Sequence, residues 1–256
     1  DMVMGYGMAQ LADHPLAANI SRAWKEKIPQ FPDLTGFSRI EPSQVLYFQT
    51  GAGEVALQVD QTGALSRYTV GHTVWADSSH PLARYTFNTF NTSDYDKQAG
   101  VCCWSDGGTR QKVARPLSQV FEGRLGGLWV KGSVSEPAAV LVRGSVPVEA
   151  YRNYGGCEAF TTMYTVSTST GAVSVDFQLF NCSVSRLGGA HMLHFSPVPK
   201  DGCVWMVDKL GSWVDPLDVV EKGSQYQHAV KSGVRYSGSF SQKFPQKDEE
   251  PHAGQN

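Results

Sequence analysis

Residues 172–180 read AVSVDFQLF, and the alternation is strict: Val173, Val175, Phe177 and Leu179 fall on one side, Ser174, Asp176 and Gln178 on the other. Successive side chains of an extended chain point to opposite faces. Such a run implies a strand with one face packed and one wet, as in an antiparallel sheet. Comparable runs recur. QVLYFQ (44–49) and EVALQVD (54–60) flank Thr50-Gly51-Ala52-Gly53, which reads as a hairpin, and Asp60-Gln61-Thr62-Gly63 is a second turn leading into ALSRYTV (64–70). GLWVKGSV (127–134), AAVLVRGSV (138–146), FTTMYTVST (160–168), AHMLHFS (190–196) and CVWMVD (203–208) are further strand candidates. Many short strands with glycine-rich turns predict a mainly β protein, an antiparallel β-sandwich. The 26 glycines and 13 prolines suit that reading, and an apolar fraction of 41% is enough for its core.

Residues 1–43 differ. LADHPLAANISRAWKEKI (11–28) carries Leu16, Ile20, Ala23, Trp24 and Ile28 at helical spacing, a stripe that could dock on a sheet, and Pro29 and Pro32 end it. The expected organisation is one short N-terminal helix within a helical or extended segment over 1–43, a β-sandwich over 44–240 and a mobile polar tail over 241–256. The tail has too little apolar surface to offset the entropy of ordering.

A formal charge of −2 supplies no broad electrostatic attraction to nucleic acid or an anionic membrane. No apolar run reaches the roughly 18 residues of a membrane-spanning helix, so membrane insertion is not expected. The chain begins with Asp1, which reads as a processed protein or a piece of a longer one. Cys102, Cys103, Cys157, Cys182 and Cys203 show no metal-type spacing. They read either as two bridges with one leftover thiol, of unspecified connectivity, or as five reduced thiols acting as small apolar groups. Asn19, Asn91 and Asn181 open N-glycosylation sequons, and with the odd cysteine count they favour a secretory route, extracellular or lysosomal.

Catalytic motifs are scarce. His191 and His194 lie three apart, but in a strand these positions point to opposite sides, which disfavours joint chelation. Asp208, Asp215 and Asp218 are the carboxylates that could form a glycosidase pair, yet Asp215-Pro216 is well explained as a turn. No GxSxG, HExxH or GxxxxGK[ST] occurs. Gly5-Tyr6-Gly7 lacks the third glycine of a dinucleotide loop, and the vicinal pair Cys102-Cys103 has no cradling logic by itself. No cofactor and no metal site is expected. Trp75, Trp104, Trp129, Trp205 and Trp213 could stack on sugar rings, although large rings more often fill sandwich cores.

Four blocks resemble the C-terminal β-rich region of uncharacterised α-mannosidase-like proteins related to glycoside hydrolase family 38. They are GEVALQVDQTGALSRY (53–68), WADSSHPLARYTFNTFNTSDYD (75–96), FQLFNCSVSRLGGAHMLHFSP (177–197) and WMVDKLGSWVDPLDVVEKGSQYQHAV (205–230). The likeness spans about residues 44–236 and implies a mannosidase C-terminal or galactose-mutarotase type of sandwich. It departs at Cys182, where the family pattern has lysine, and at Gly188-Gly189, where it has Pro-Glu. The zinc-binding His-x-Asp motif of that family's catalytic domain occurs nowhere in the chain.

The resemblance therefore implies a non-catalytic module with a structural or interaction role in a larger assembly. One alternative is the C-terminal part of an active glycosidase whose zinc domain lies on another polypeptide. A second is a carbohydrate-binding module, with Trp213, Tyr226 and His228 as its glycan contacts. Protein partners and a glycan are the expected ligands.

Overall fold

The computed structural model describes residues 2–94, 97, 117–132, 138–183, 185, 187–217 and 230–238. The protein is mainly β, with antiparallel sheets and few helices. It divides into two compact units, Asp1–Val198 and Pro199–Asn256.

The first unit begins with two helices, α1 (Met2–Gln10) and α2 (Ala17–Lys27). One N-terminal helix was expected, and α1 is the addition. Its sequence, MVMGYGMAQ, is apolar almost throughout, so it has no helical periodicity to read, and Gly5 and Gly7 argue against a helix by propensity. The docking expected for the second helix is not seen. No residue of α2 is buried, and flanking Leu16 and Ile28 are exposed. The extended segment that follows does dock: the Phe31 ring stacks on Phe180 at 4.1 Å, and the Arg143 guanidinium lies over it at 4.2 Å.

Two sheets follow. The strands are β1 (Ser38–Ile40), β2 (Leu46–Thr50), β3 (Gly53–Val59), β4 (Leu65–Val70), β5 (Thr73–Ala76), β6 (Leu82–Thr89), β7 (Gln119–Glu122), β8 (Arg124–Lys131), β9 (Ala138–Ser145), β10 (Cys157–Val166), β11 (Val173–Cys182) and β12 (Gly189–Phe195). A short helix, α3 (Val148–Tyr154), joins β9 to β10. One sheet runs β1-β8-β9-β10-β11, and the other runs β12-β6-β4-β3-β2 with β5 on β4 and β7 on β6. Every pairing is antiparallel.

The buried faces of both sheets share one core. Val55, Leu57, Val59, Leu65, Tyr85 and Phe87 come from the second sheet, and Leu128, Val140, Val142, Phe160 and Tyr164 from the first. Val173, Val175, Phe177 and Leu179 pack against that cluster, the face that strict alternation assigns them. Phe160 sets the spacing. Its ring packs at 5.0 Å from Tyr85 and 5.7 Å from Phe177. Gly123 and Gly144 abut it, where a Cβ would collide with or crowd the ring; a Cβ at Gly63 would meet Val142 first, at 2.9 Å.

Two hydrogen bonds tie turns to the opposite sheet. The Tyr164 hydroxyl donates to the Gly63 carbonyl at 2.8 Å, and the Tyr68 hydroxyl donates to the Gly171 carbonyl at 2.8 Å. The Gly63 turn is fixed from within, because the Asp60 carboxylate accepts from the Thr62 N–H at 2.7 Å, the Thr62 hydroxyl at 2.6 Å and the Ala64 N–H at 3.2 Å. Gly63 takes a φ of 88°, which a side chain would oppose.

The second unit is a sheet of β13 (Cys203–Lys209), β14 (Ser212–Val214) and β15 (Val234–Gly238), in the order β14-β13-β15.

Candidate functional site

The β6–β12 pair places different chemistry on its two faces. Its register sets His191 opposite Phe87, Met192 opposite Thr86, Leu193 opposite Tyr85 and His194 opposite Arg84. Opposed residues of a ladder share a face and neighbours alternate. His191 therefore lies with Tyr85 and Phe87 on the core side, and His194 with Arg84 and Thr86 on the other, so the two imidazoles cannot share a ligand.

The outer face is a polar row. The Thr86 hydroxyl donates to Asn88 Oδ1 at 3.0 Å, which leaves its oxygen to accept from His194 Nε2 at 2.8 Å. Arg84 Nη1 lies 3.5 Å from Glu122 Oε1, with both side chains 40% or more exposed, so this pair contributes little.

The core side holds a more particular arrangement. Cys157 and Cys182 oppose each other in the β10–β11 ladder and form a disulfide. His191 Nε2 lies 3.7 Å from Cys157 Sγ, and His191 Nδ1 lies 2.8 Å from the Tyr85 hydroxyl. The His191 ring packs at 4.8 Å from Phe87 and 6.1 Å from Tyr85. Burial lowers the His191 pKa and raises that of Tyr85. The bridged Cys157 sulfur carries no proton and can only accept, so the tautomer with its proton on Nε2 makes both ring contacts hydrogen bonds, with the Tyr85 hydroxyl donating to Nδ1. Sequence reasoning assigned no partner to His191 and left the cysteine connectivity open. A signal was present: Cys157 and Cys182 lie equally far from the turn that joins their strands.

Asp208 and Asp215, two of the carboxylates singled out by sequence, accept hydrogen bonds within turns. Asp208 accepts from the Gly211 N–H at 2.8 Å and from the Ser232 hydroxyl in a short contact. These bonds, that of Ser232 foremost, hold its pKa below the usual carboxylate value. Asp215 accepts from the Leu217 N–H at 2.8 Å, an Asx turn. In the second block of the resemblance, Asp77 accepts from the Ser79 N–H at 2.9 Å, the His80 N–H at 2.8 Å and the His80 ring at 2.9 Å. The imidazole bond is the main reason its pKa is lowered. That segment is a capped turn.

Trp213 is half-buried, with the Arg235 guanidinium over its ring at 4.9 Å, so one of its faces is already occupied. Trp205 is more open, at 40% exposure, and packs against Tyr236 at 5.1 Å. Trp129 is half-buried and lies over Gly127. Tyr226, His228, Asp218, Trp104 and the Cys102-Cys103 pair lie outside the described residues, as does the tail over 241–256.

Of the sequon asparagines, Asn19 is exposed on α2 and accepts from Arg22 at 3.1 Å. Asn91 caps a helical turn at 92–94, exchanging backbone-to-side-chain bonds with Asp94 at 2.8 and 3.0 Å. Asn181 is exposed and donates to Glu158 at 3.0 Å. Among the described residues no group of three or more His, Cys, Asp or Glu side chains is placed to hold a metal ion, and no helix is long and apolar enough to cross a membrane. No protein-family model, curated protein or solved structure matches this chain.

Proposed function

We propose that this chain is a non-catalytic β-sandwich module that binds another protein through the apolar stripe of α2. The observation that carries the reading is that stripe itself. Leu16 and Ile20 lie at helical spacing and are exposed, Trp24 follows half-buried, and Ile28 is exposed just past the helix end. Tyr6 on α1 is exposed as well. An amphipathic helix stabilises a folded chain by burying such a stripe, and one left open suits a helix-in-groove contact.

The sandwich class is supported by two antiparallel sheets that share one core. The resemblance to the C-terminal region of α-mannosidase-like proteins rests on the four quoted blocks alone. If it holds, the partner is a polypeptide of the same assembly, one bearing the zinc-dependent domain. The Cys157–Cys182 bridge and the exposed sequons at Asn19 and Asn181 favour the secretory pathway, where disulfides persist.

Sedimentation of the protein in its native assembly tests the proposal. Leu16, Ile20 and Ile28 are 52%, 36% and 46% exposed, so completing the burial of each is worth roughly 0.5–1.5 kcal/mol. Ile20→Asp is therefore expected to weaken the assembly by about two- to tenfold, with the circular dichroism of the isolated chain unchanged. Sedimentation that does not change with Ile20→Asp and Trp24→Asp removes the reading.

A further inference from the structure

We propose that the Cys157–Cys182 bridge is a thiol–disulfide exchange site, at which a small external thiol attacks the Cys182 sulfur and Cys157 is the leaving group. Three features of its setting point this way. The two sulfurs are unequally placed, because Cys182 is exposed at the end of an outer strand and Cys157 is 1% exposed. Cys182 is therefore the more open of the two to an incoming thiolate. The leaving sulfur faces His191 Nε2 at 3.7 Å, a donor in the tautomer that makes both ring contacts hydrogen bonds. Finally, the bridge is not what pairs its strands, because β10 and β11 remain in register from Ala159 opposite Phe180 to Val166 opposite Val173.

The chemistry balances without any further reactant. A thiol ionises and gives its proton to solvent. Its thiolate forms a bond to Cys182 Sγ, the S–S bond breaks, and the electron pair passes to Cys157 Sγ. The His191 Nε2–H stabilises that thiolate by a charge-assisted hydrogen bond and keeps its own proton. A second thiol then attacks the mixed disulfide and frees Cys182. Two external thiols are oxidised to one disulfide, the protein bridge is reduced to two thiols, and solvent returns the two protons.

The test exposes the full chain to glutathione under native conditions and maps the adducts by peptide mass. The expected result is a mixed disulfide on Cys182 and none on Cys157, with the far-ultraviolet circular dichroism unchanged. His191→Phe keeps the ring packing but removes the donor, and it is expected to slow bridge opening about tenfold, the order that a hydrogen bond to a charged group contributes. His191→Gln, which keeps an N–H, is expected to recover part of that rate. An adduct on Cys157, opening only after the chain unfolds, or an unchanged rate in His191→Phe would overturn the proposal. The adduct position needs no variant, so it decides the matter even if His191→Phe folds poorly.

Discussion

Phe160 is where the two sheets meet most tightly, and replacing it tests whether they share one core. The ring is 1% exposed and touches Tyr85 of the facing sheet and Phe177 of its own. Truncation to alanine removes the transfer energy of the ring and leaves a cavity that close-packed neighbours fill only partly. The expected loss is about 3–5 kcal/mol.

The glycine cradle supplies a second, sharper number. A Cβ on Gly144 would penetrate the Phe160 ring and would also lie 2.8 Å from the Arg124 carbonyl oxygen. Gly144→Ala should therefore cost about 1–3 kcal/mol by overpacking. In the Phe160→Ala background the ring is gone, and only the carbonyl contact remains. The two changes should then cost less together than apart, by about 1–3 kcal/mol.

The protein has two units, so a single global transition is not assumed. Hydrogen exchange of the β9 and β10 amides as a function of urea follows this core by itself. A Phe160→Ala cost below about 1 kcal/mol would refute the shared-core account, and strict additivity with Gly144→Ala would refute the close approach of β9 to the ring.

Other expectations follow from single contacts. Tyr164→Phe leaves the Gly63 carbonyl unpaired in the core, so it should cost about 1–2 kcal/mol, measured by the same exchange experiment. The lowered Asp208 pKa stabilises the second unit above the ordinary carboxylate value of 3.8, and that contribution is lost as pH falls through the lower folded value. Acid titration monitored by exchange of β13 amides should show this loss, and Asp208→Asn should abolish the pH dependence. If the chain follows the secretory route, amidase treatment of native material should lower its mass through at least one of Asn19, Asn91 and Asn181. An unchanged mass would count against that localisation.

Much of the β framework was legible because period-2 alternation reports packing directly. The strands around Leu46–Thr50, Gly53–Val59, Leu65–Val70 and Val173–Cys182 follow the runs read from sequence. Others were not. β6 does alternate, with Ala83, Tyr85 and Phe87 against Arg84, Thr86 and Asn88, but the buried Thr86 and Thr89 are polar, and its run is absent from the strand candidates. α3 is only one and a half to two turns long, too short for a helical period, although Pro147 before it and Gly155 after it are ordinary boundary residues. The site was less legible than the fold. His191 gains its role from Tyr85 and Cys157, which are distant in sequence and brought together only by strand register. Of the candidate carboxylates, Asp215 was read as a turn residue and is one, and Asp208 also accepts within a turn.

Hydrogen exchange across residues 17–27 gives the most direct measure of the proposed role, comparing the isolated chain with the same chain in its native assembly. The stripe of α2 is predicted to exchange freely alone and to be protected in the assembly. The Ile20→Asp chain should lose that protection together with its partner. Equal exchange in the two states, or a chain that sediments alone when taken from its native source, would contradict the account.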